Sequence, residues 1–253
     1  MSTTPVASPE APTPGPISPF GRLFGVLFNP KATLQDIASR PAASWVLPLV
    51  LMVALGLVIS GLLNKKVDWE SFARQQAERS SRFAQLPEAQ KQQAVSRQAR
   101  ISPYVSYAVG LLRFPVIVLI ASVLYLGAFN VLSGASLRFG QAFTITTYAN
   151  AGPGLIASLL IIITLAVKAH GDVNPETMLA SHLGAFLSSD APAWQRALGS
   201  SIELFDLWGN VLAAVGFTIA SPRKISKASA FGTVFGLWLL WILIKVGLTA
   251  VFS

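Results

Sequence analysis

The sequence predicts an all-α fold: a polytopic membrane protein with a bundle of five transmembrane helices, an N-terminal interfacial helix and a helical extramembrane loop. Hydrophobic residues make up 53% of the 253 residues, and charged residues make up only 12%. A soluble domain has about 25% charged residues. Five apolar stretches are close to the roughly 20 residues that a helix needs to cross a bilayer. They are residues 45–63, 107–132, 142–167, 202–220 and 230–252.

Composition also limits the classes of function. The formal net charge is +8, but the Lys and Arg residues are spread through loops beside apolar stretches, where anionic lipid headgroups are the nearest counter-charge. We therefore expect membrane lipids and other membrane proteins as partners, and no nucleic acid. The chain has no cysteine, which excludes thiol catalysis, thiolate metal sites, palmitoylation and disulfides.

The first predicted region is a tail. Residues 1–19 are rich in Pro, Ser and Thr, a composition typical of disorder, and they lack the basic start and apolar segment of a cleavable signal peptide. Residues 20–253 form the predicted membrane domain.

A short amphipathic helix is predicted next. Five apolar residues recur at the spacing of one helical face, which we expect to lie in the membrane surface. They are Phe20, Leu23, Phe24, Leu27 and Phe28. Asn29 and Pro30 are typical of a helix stop and restart, and Arg40 before Pro41 ends the second short helix.

Residues 64–103 form the largest polar segment, between the first two predicted spans. A weak apolar stripe and a restart at Pro87 predict two short helices there. A second polar loop covers residues 168–200.

The third span contains Gly152, Pro153 and Gly154, which predict a helix break. Two interpretations stay open: a gating hinge or unwound substrate site, as in transporters with broken helices, and a static packing kink.

Charged residues inside the predicted spans are the most specific physical feature, because burying a charge in hydrocarbon costs several kcal/mol. Arg113, Glu203, Asp206 and Lys245 all fall toward the membrane face opposite the N-terminus, and helical rise predicts a depth of about 5–10 Å for three of them. Glu203, Asp206 and Asn210 have the spacing of one helical face. Two interpretations of this cluster stay open. It is either a structural layer of interhelical ion pairs, or a functional site that acts as a proton relay, an ion relay or a polar binding cleft. The side chains of Arg113 and Lys245 could also extend to the lipid headgroups.

No motif predicts catalysis. His170 and His182 lie in the second polar loop without zinc-ligand spacing, and no phosphate-binding glycine loop, nucleophile elbow or zinc-protease motif occurs. We therefore expect no catalytic residue, no metal, no cofactor and no enzymatic activity.

Three segments resemble bacterial Yip-domain membrane proteins, over residues from about 20 to the end. The N-terminal motif consists of Phe28, Asn29, Pro30, Thr33, Leu34, Ile37, Arg40 and Pro41, and the other two segments are residues 136–151 and 202–216. The resemblance implies a five-helix membrane fold with a cytoplasmic N-terminus. Eukaryotic members bind prenylated Rab-type GTPases in vesicle traffic, but their Asp-Leu-Tyr-Gly-Pro signature is only echoed by residues 206–210 here, so that role is not transferred.

Orientation and function each have two interpretations. Seven basic residues lie on the N-terminal side and ten on the opposite side, which favours an external N-terminus, whereas the resemblance implies a cytoplasmic one in a bacterial cytoplasmic membrane. We follow the resemblance.

The functional hypotheses are a non-enzymatic membrane organiser that binds partners through its surface helices, and a small proton- or ion-coupled transporter that uses Glu203, Asp206 and Lys245.

Overall fold

The computed structural model describes residues 15–40, 45–78, 81–188 and 191–252, and these residues are predominantly helical. The helices are α1 (Pro19–Phe28), α2 (Pro30–Ser39), α3 (Val46–Lys66), α4 (Trp69–Glu78), α5 (Ser81–Ala84), α6 (Glu88–Ser133), α7 (Phe139–Val167), α8 (Ala193–Ser201), α9 (Leu204–Ala220) and α10 (Lys227–Phe252). A 3₁₀ turn covers Leu183–Phe186, and an isolated antiparallel bridge joins His182 to Glu203. The predicted tail before residue 15 lies outside the described residues.

Four helices are long and apolar enough to cross a membrane: α3, α6, α7 and α10. The all-α membrane fold is therefore confirmed. The predicted fourth span is shorter than expected, because α9 begins only at Leu204 and has 17 residues. The second span is part of a much longer helix. With 46 residues, α6 is about 69 Å long, so its first half extends beyond the membrane.

Helix ends follow the sequence rules. Pro30 occupies the first position of α2, Arg40 caps its end, and Pro87 stands immediately before α6. The Asn29 side chain makes no capping hydrogen bond; instead, the Thr33 hydroxyl donates to the Asn29 carbonyl at 2.9 Å. Pro41, the last residue of the N-terminal motif, lies outside the described residues.

The first two helices form an antiparallel hairpin about Asn29, which we call the N-terminal hairpin. Gly25 faces Thr33 so closely that any Cβ would overlap its hydroxyl. Arg22 Nε donates to Asp36 Oδ2 at 2.6 Å, and both side chains are buried. The apolar side of the hairpin packs into the main core between α7 and α9. Its fully buried residues are Leu23, Val26, Leu34 and Ile37.

The predicted apolar face of the N-terminal helix is divided between the protein core and the outside of the bundle. Val26 contacts α7 at Gly152, where a Cβ would lie 2.6 Å from Val26 Cγ1, well inside the bundle. Sequence periodicity could not distinguish a membrane surface from a protein core, since both accept an apolar face. The aromatic residues of the predicted face do point outward: Phe20, Phe24 and Phe28 are 59%, 50% and 83% exposed. The hairpin thus contacts the bundle on one side and presents a phenylalanine stripe on the other.

The closest helix crossing joins the middle of α3 to α6. A Cβ on Gly56 would overlap the Gly110 carbonyl, so neither position has room for a side chain. The Ser60 hydroxyl bridges the crossing, because it lies 2.9 Å from Gly56 O and 2.8 Å from Ser106 O. Small residues that let helix backbones approach are typical of membrane interfaces.

The membrane face opposite the N-terminus, called here the far face, is covered by a helical layer. Of the two short helices predicted in residues 64–103, the first is present as α4, whereas the restart at Pro87 begins the 46-residue α6. Helix α4 packs along the extended half of α6. The 168–182 segment joins this layer: Lys66 Nζ donates to Lys168 O at 2.7 Å, and Gln76 Nε2 donates to Glu176 Oε1 at 3.1 Å.

Asp68 caps the first turn of α4. Its carboxylate accepts from the Glu70 and Ser71 amides at 3.1 and 3.2 Å and from the Ser71 hydroxyl at 2.7 Å. The Ser71 hydroxyl and amide, which favour the charged carboxylate, lower the pKa of Asp68 from its ordinary value.

Candidate ligand-binding cavity

A cavity of about 1080 Å³ lies in the far half of the bundle. Its floor is formed by α3 and α7, and α6 and α9 form facing walls. The roof consists of α4, residues 175–182 and Ser200 of α8. Ligand pockets in proteins usually measure about 300–1000 Å³, so this space is large enough for a ligand of considerable size.

Both α6 and α9 line the cavity. Helix α6 packs on α3, α3 on α7, and α7 on α9, so these helices form a curved row, and α10 contacts both α9 and α6. Toward the N-terminal face the row closes, because Tyr125 and Phe129 of α6 contact Phe217 with ring centroids 5.3 and 4.8 Å apart. Toward the far face, residues of both helices line the cavity.

Charged side chains of both signs lie on the two walls. Arg113 projects from α6, while Glu203 and Asp206 come from the start of α9. Asp206 is within electrostatic range of Arg113 and of Lys245. Among the described residues, however, no ion pair within 4 Å joins these groups. The acids and bases thus share one space without forming an ion-pair layer.

Two of the predicted cluster residues are held by local contacts. Lys245 Nζ donates to Ser201 Oγ at 3.0 Å, and this hydrogen bond joins α10 to α8 next to Ser200 of the cavity lining. Glu203 caps α9, because its carboxylate accepts from the Asp206 amide at 2.8 Å. A negative charge at a helix N-terminus is also favoured by the helix dipole.

The predicted common face of Glu203, Asp206 and Asn210 is only partly realised. Glu203 precedes α9 instead of lying in it, because residues 181–183 pair with 202–204 and stop the helix there. Asp206 is exposed to the cavity. Asn210 is buried below it and accepts a hydrogen bond from Tyr125 Oη at 3.3 Å.

The register of the helices places Arg113 and Asp206 farther from the far face of the bundle than a count from the start of each predicted span. Gly110 touches Gly56, the midpoint of α3, and Arg113 is one helical turn farther along α6. Arg113 therefore begins about 10 Å from the first residue of α3 and about 20 Å from its last residue, measured along the helix. Contacts through α7 place Asp206 at a similar level of the bundle. Gly209, one turn after Asp206, packs against Asn150 of α7, and Gly154, one turn farther along α7, contacts Met52 of α3. The sequence estimate assumed that each span starts at the membrane surface, whereas α6 starts outside it and α9 starts inside it.

The predicted helix break does not occur. Helix α7 is continuous from Phe139 to Val167 and includes Pro153. The two glycines serve close packing: a Cβ on Gly152 would lie 2.6 Å from Val26 Cγ1, and one on Gly154 would lie 2.9 Å from Met52 Cε. These contacts hold the N-terminal hairpin and α3 against α7, so no unwound site is present at these residues.

Sequence analysis missed two polar atoms at the cavity. The Trp69 Nε1 and His182 Nδ1 atoms are buried without a hydrogen-bond partner, and both residues line the cavity. Buried polar atoms normally have a partner, so unpaired ones are typical of a place where water or a ligand belongs. His182 is thus part of the cavity lining, unlike the solvated loop residue that was expected. His170 fits that expectation better, since it is exposed and its Nδ1 lies 3.1 Å from Lys65 O.

The buried ion pair of the N-terminal hairpin was missed as well. Asp36 Oδ1 also lies 3.2 Å from Arg40 Nη1, so one carboxylate faces two arginines. The available sequence feature was a single acid in a short helix between two arginines. No group of His, Asp and Glu residues that could hold a metal occurs in the part of the chain that the structure describes.

A family model decides the identity of the chain. The Yip1 domain model matches residues 24–250, which covers the N-terminal hairpin from the middle of α1 onward, the cavity lining, and the long spans except the last two residues of α10. The chain belongs to the Yip1 domain family. A search of curated proteins and a search of solved structures each found no match. The Yip1 match confirms the resemblance, while the cavity and the hairpin contacts are observations on this member alone.

Proposed function

We propose that this Yip1-domain protein is a non-enzymatic membrane protein that holds a ligand in the cavity between α6 and α9. The observation that supports this is a cavity within the membrane domain whose lining includes an arginine and two carboxylates. Burying charges inside a membrane domain costs several kcal/mol, and such residues are typically functional.

The organiser hypothesis keeps part of its original basis. Of the predicted apolar face, Leu23 is buried in the core and Leu27 packs against it, whereas Phe20, Phe24 and Phe28 remain exposed. This exposed stripe fits the surrounding lipid.

A cavity-filling substitution tests the proposal. Ala157 lines the cavity from α7, and Ala157→Phe should occupy part of it, whereas Leu160→Phe on the exposed side of α7 is the matched control. Lipids and solutes would be screened for an increase in the thermal midpoint of the purified protein. A ligand of the cavity should stabilise the wild type and Leu160→Phe but not Ala157→Phe. Equal stabilisation of all three proteins would contradict a cavity site.

Coupled transport is a second candidate, favoured by the carboxylates at the cavity wall. A relay residue must meet the transported ion, and Asp206 is exposed to the cavity, whereas Lys245 only borders it. Asp206→Asn in liposomes should abolish proton- or ion-driven flux without lowering the thermal midpoint. Flux that is unchanged in Asp206→Asn would exclude this residue as a relay.

The proposed location is a bacterial cytoplasmic membrane with the N-terminus in the cytoplasm. The cavity would then lie in the outer half of the membrane domain. Because the chain has no native cysteine, a single cysteine at Ser2, Gln90 or Ser253 can be labelled without background. In intact cells, an impermeant thiol reagent should label Gln90→Cys and Ser253→Cys but not Ser2→Cys. Labelling of Ser2→Cys alone would reverse the orientation.

A further inference from the structure

We infer that residues 183–201, which comprise the 3₁₀ turn and α8, are embedded in the membrane leaflet at the far face, where their outer surface contacts lipid acyl chains. The sequence assigned most of this segment to a polar loop, and α8 has only nine residues, so apolar length could not identify it as a membrane element. Neither the cavity nor its ligand is needed for this placement.

The depth of α8 follows from its contact with α10. Helix α10 begins at the N-terminal face, where Ser229 lies 3.2 Å from Ser133 at the end of α6. Near its other end, Lys245 Nζ donates to Ser201 Oγ at 3.0 Å. Lys245 is seven residues before Phe252, the last residue of α10, so its backbone lies about 10 Å inside the far end of this span. The end of α8 is therefore beside the span and not beyond it.

The start of α9 gives a second measure of depth. Gly209 packs against Asn150, which is 17 residues before Val167, the last residue of α7. Leu204, the first residue of α9, is five residues closer to the far face than Gly209, so it lies about 18 Å inside the far end of α7. The chain has thus entered the membrane before α9 begins.

The 3₁₀ turn lies at the same level as the end of α8. The Leu183 amide donates to Ile202 O at 3.2 Å. The backbones at Gly184 and Gly199 are in direct contact, because a Cβ on Gly199 would lie 2.8 Å from Gly184 Cα. These contacts hold the turn, including Phe186, against the part of the chain that lies inside the membrane domain.

The outer side of this segment is apolar. Six large apolar residues are 37–80% exposed: Leu183, Phe186, Leu187, Trp194, Leu198 and Leu204. The other exposed residues that the structure describes between 183 and 204 are Ser188, Pro192 and Ser200, so none of them is charged. Helix α4, in the aqueous layer of the same face, instead exposes Glu70, Arg74 and Glu78. A contiguous apolar surface that includes a tryptophan is typical of a segment at the membrane interface.

The neighbouring surface of α10 is also apolar and exposed. Helix α8 packs on α10, and around Lys245 the side chains of Leu243, Ile244 and Leu248 are 60%, 47% and 55% exposed. Because α10 is long and apolar enough to cross the membrane, acyl chains cover this part of its surface. Helix α8 lies beside it at the same depth, so the same acyl chains cover the apolar patch of 183–201.

Spin labels at single cysteines test this placement in lipid nanodiscs, since the chain has no cysteine of its own. Labels at Phe186→Cys and Leu198→Cys should collide often with oxygen, which concentrates in hydrocarbon, and rarely with anionic chromium oxalate. Leu243→Cys on α10 is the lipid control, and Gln93→Cys, exposed on the extramembrane half of α6, is the water control. Chromium oxalate collision at the two test positions should be at least about tenfold below that at Gln93→Cys, because moving a charge into hydrocarbon costs several kcal/mol.

Three outcomes would overturn the inference. Chromium oxalate collision equal to that at Gln93→Cys would place the segment in water. Rare collision with both reagents would show that protein, such as a second copy of the chain, covers the patch instead of lipid. The third measurement uses the unmodified protein, so it does not depend on whether the cysteine variants fold. A phospholipid with a photoactivatable group on its acyl chain should label peptides from 183–201 as well as α10, and labelling of α10 without 183–201 would contradict the placement.

Discussion

The buried ion pair of the N-terminal hairpin gives the clearest energetic prediction. The Arg22 and Asp36 side chains are only 6% and 10% exposed and lie 2.6 Å apart. Replacing Asp36 with Ala would leave the Arg22 guanidinium buried without its anion, and removing one partner of a buried pair costs about 3–5 kcal/mol. The second contact of Asp36 is with Arg40, which is 43% exposed. Arg40→Ala should therefore cost no more than about 1 kcal/mol.

The assay is the free energy of unfolding in mixed detergent micelles, together with hydrogen exchange of the α1 and α2 amides. Asp36→Ala should lower the unfolding free energy and expose the hairpin amides. The double substitution Arg22→Met, Asp36→Leu should recover most of the loss, since an apolar pair of similar volume is often neutral or stabilising. The reasoning is refuted if Asp36→Ala costs no more than Arg40→Ala, or if the double variant is less stable than Asp36→Ala.

Two other predictions concern helix packing and helix capping. Gly56→Ala should destabilise the bundle by about 1–3 kcal/mol, because its Cβ would overlap the Gly110 carbonyl. The control Gly127→Ala adds a Cβ in open space and should be neutral or stabilising. Equal effects of the two substitutions in the same unfolding assay would argue against the close crossing of α3 and α6. Asp68 should cap α4 at neutral pH and lose that effect as the pH falls below about 3.8, because its folded pKa is lowered from that ordinary value. Amide exchange in α4, corrected for intrinsic rates, should rise in that range for the wild type, and a wild-type curve identical to that of Asp68→Ala would disprove the cap.

The overall architecture could be predicted because it follows from local properties of the sequence. Apolar length alone identified α3, α7 and α10, and Pro30, Arg40 and Pro87 marked helix boundaries correctly. These features depend on hydrocarbon thickness and proline geometry, which do not require knowledge of neighbouring helices. The Yip1 family membership was also predictable, since its motifs are local.

Features that depend on neighbouring helices were not predictable. The apolar face of α1 did not reveal whether lipid or α7 would cover it. The glycines around Pro153 indicated a break, but in the structure they make room for Val26 and Met52. The depth of Arg113 depended on where α6 crosses α3, a contact between residues 54 positions apart. For the same reason the cavity could not be derived from the sequence, although its charged residues were identified.

Thiol accessibility tests the central claim most directly, namely that a cavity opens inside the membrane domain. Ala157→Cys would place a thiol on the cavity floor, and Ile163→Cys, 61% exposed on the same helix, would place one toward lipid. A charged thiol reagent should modify Ala157→Cys at least about tenfold faster, because moving a charge into hydrocarbon costs several kcal/mol. Equal, very slow modification of both positions would show that the bundle contains no accessible cavity.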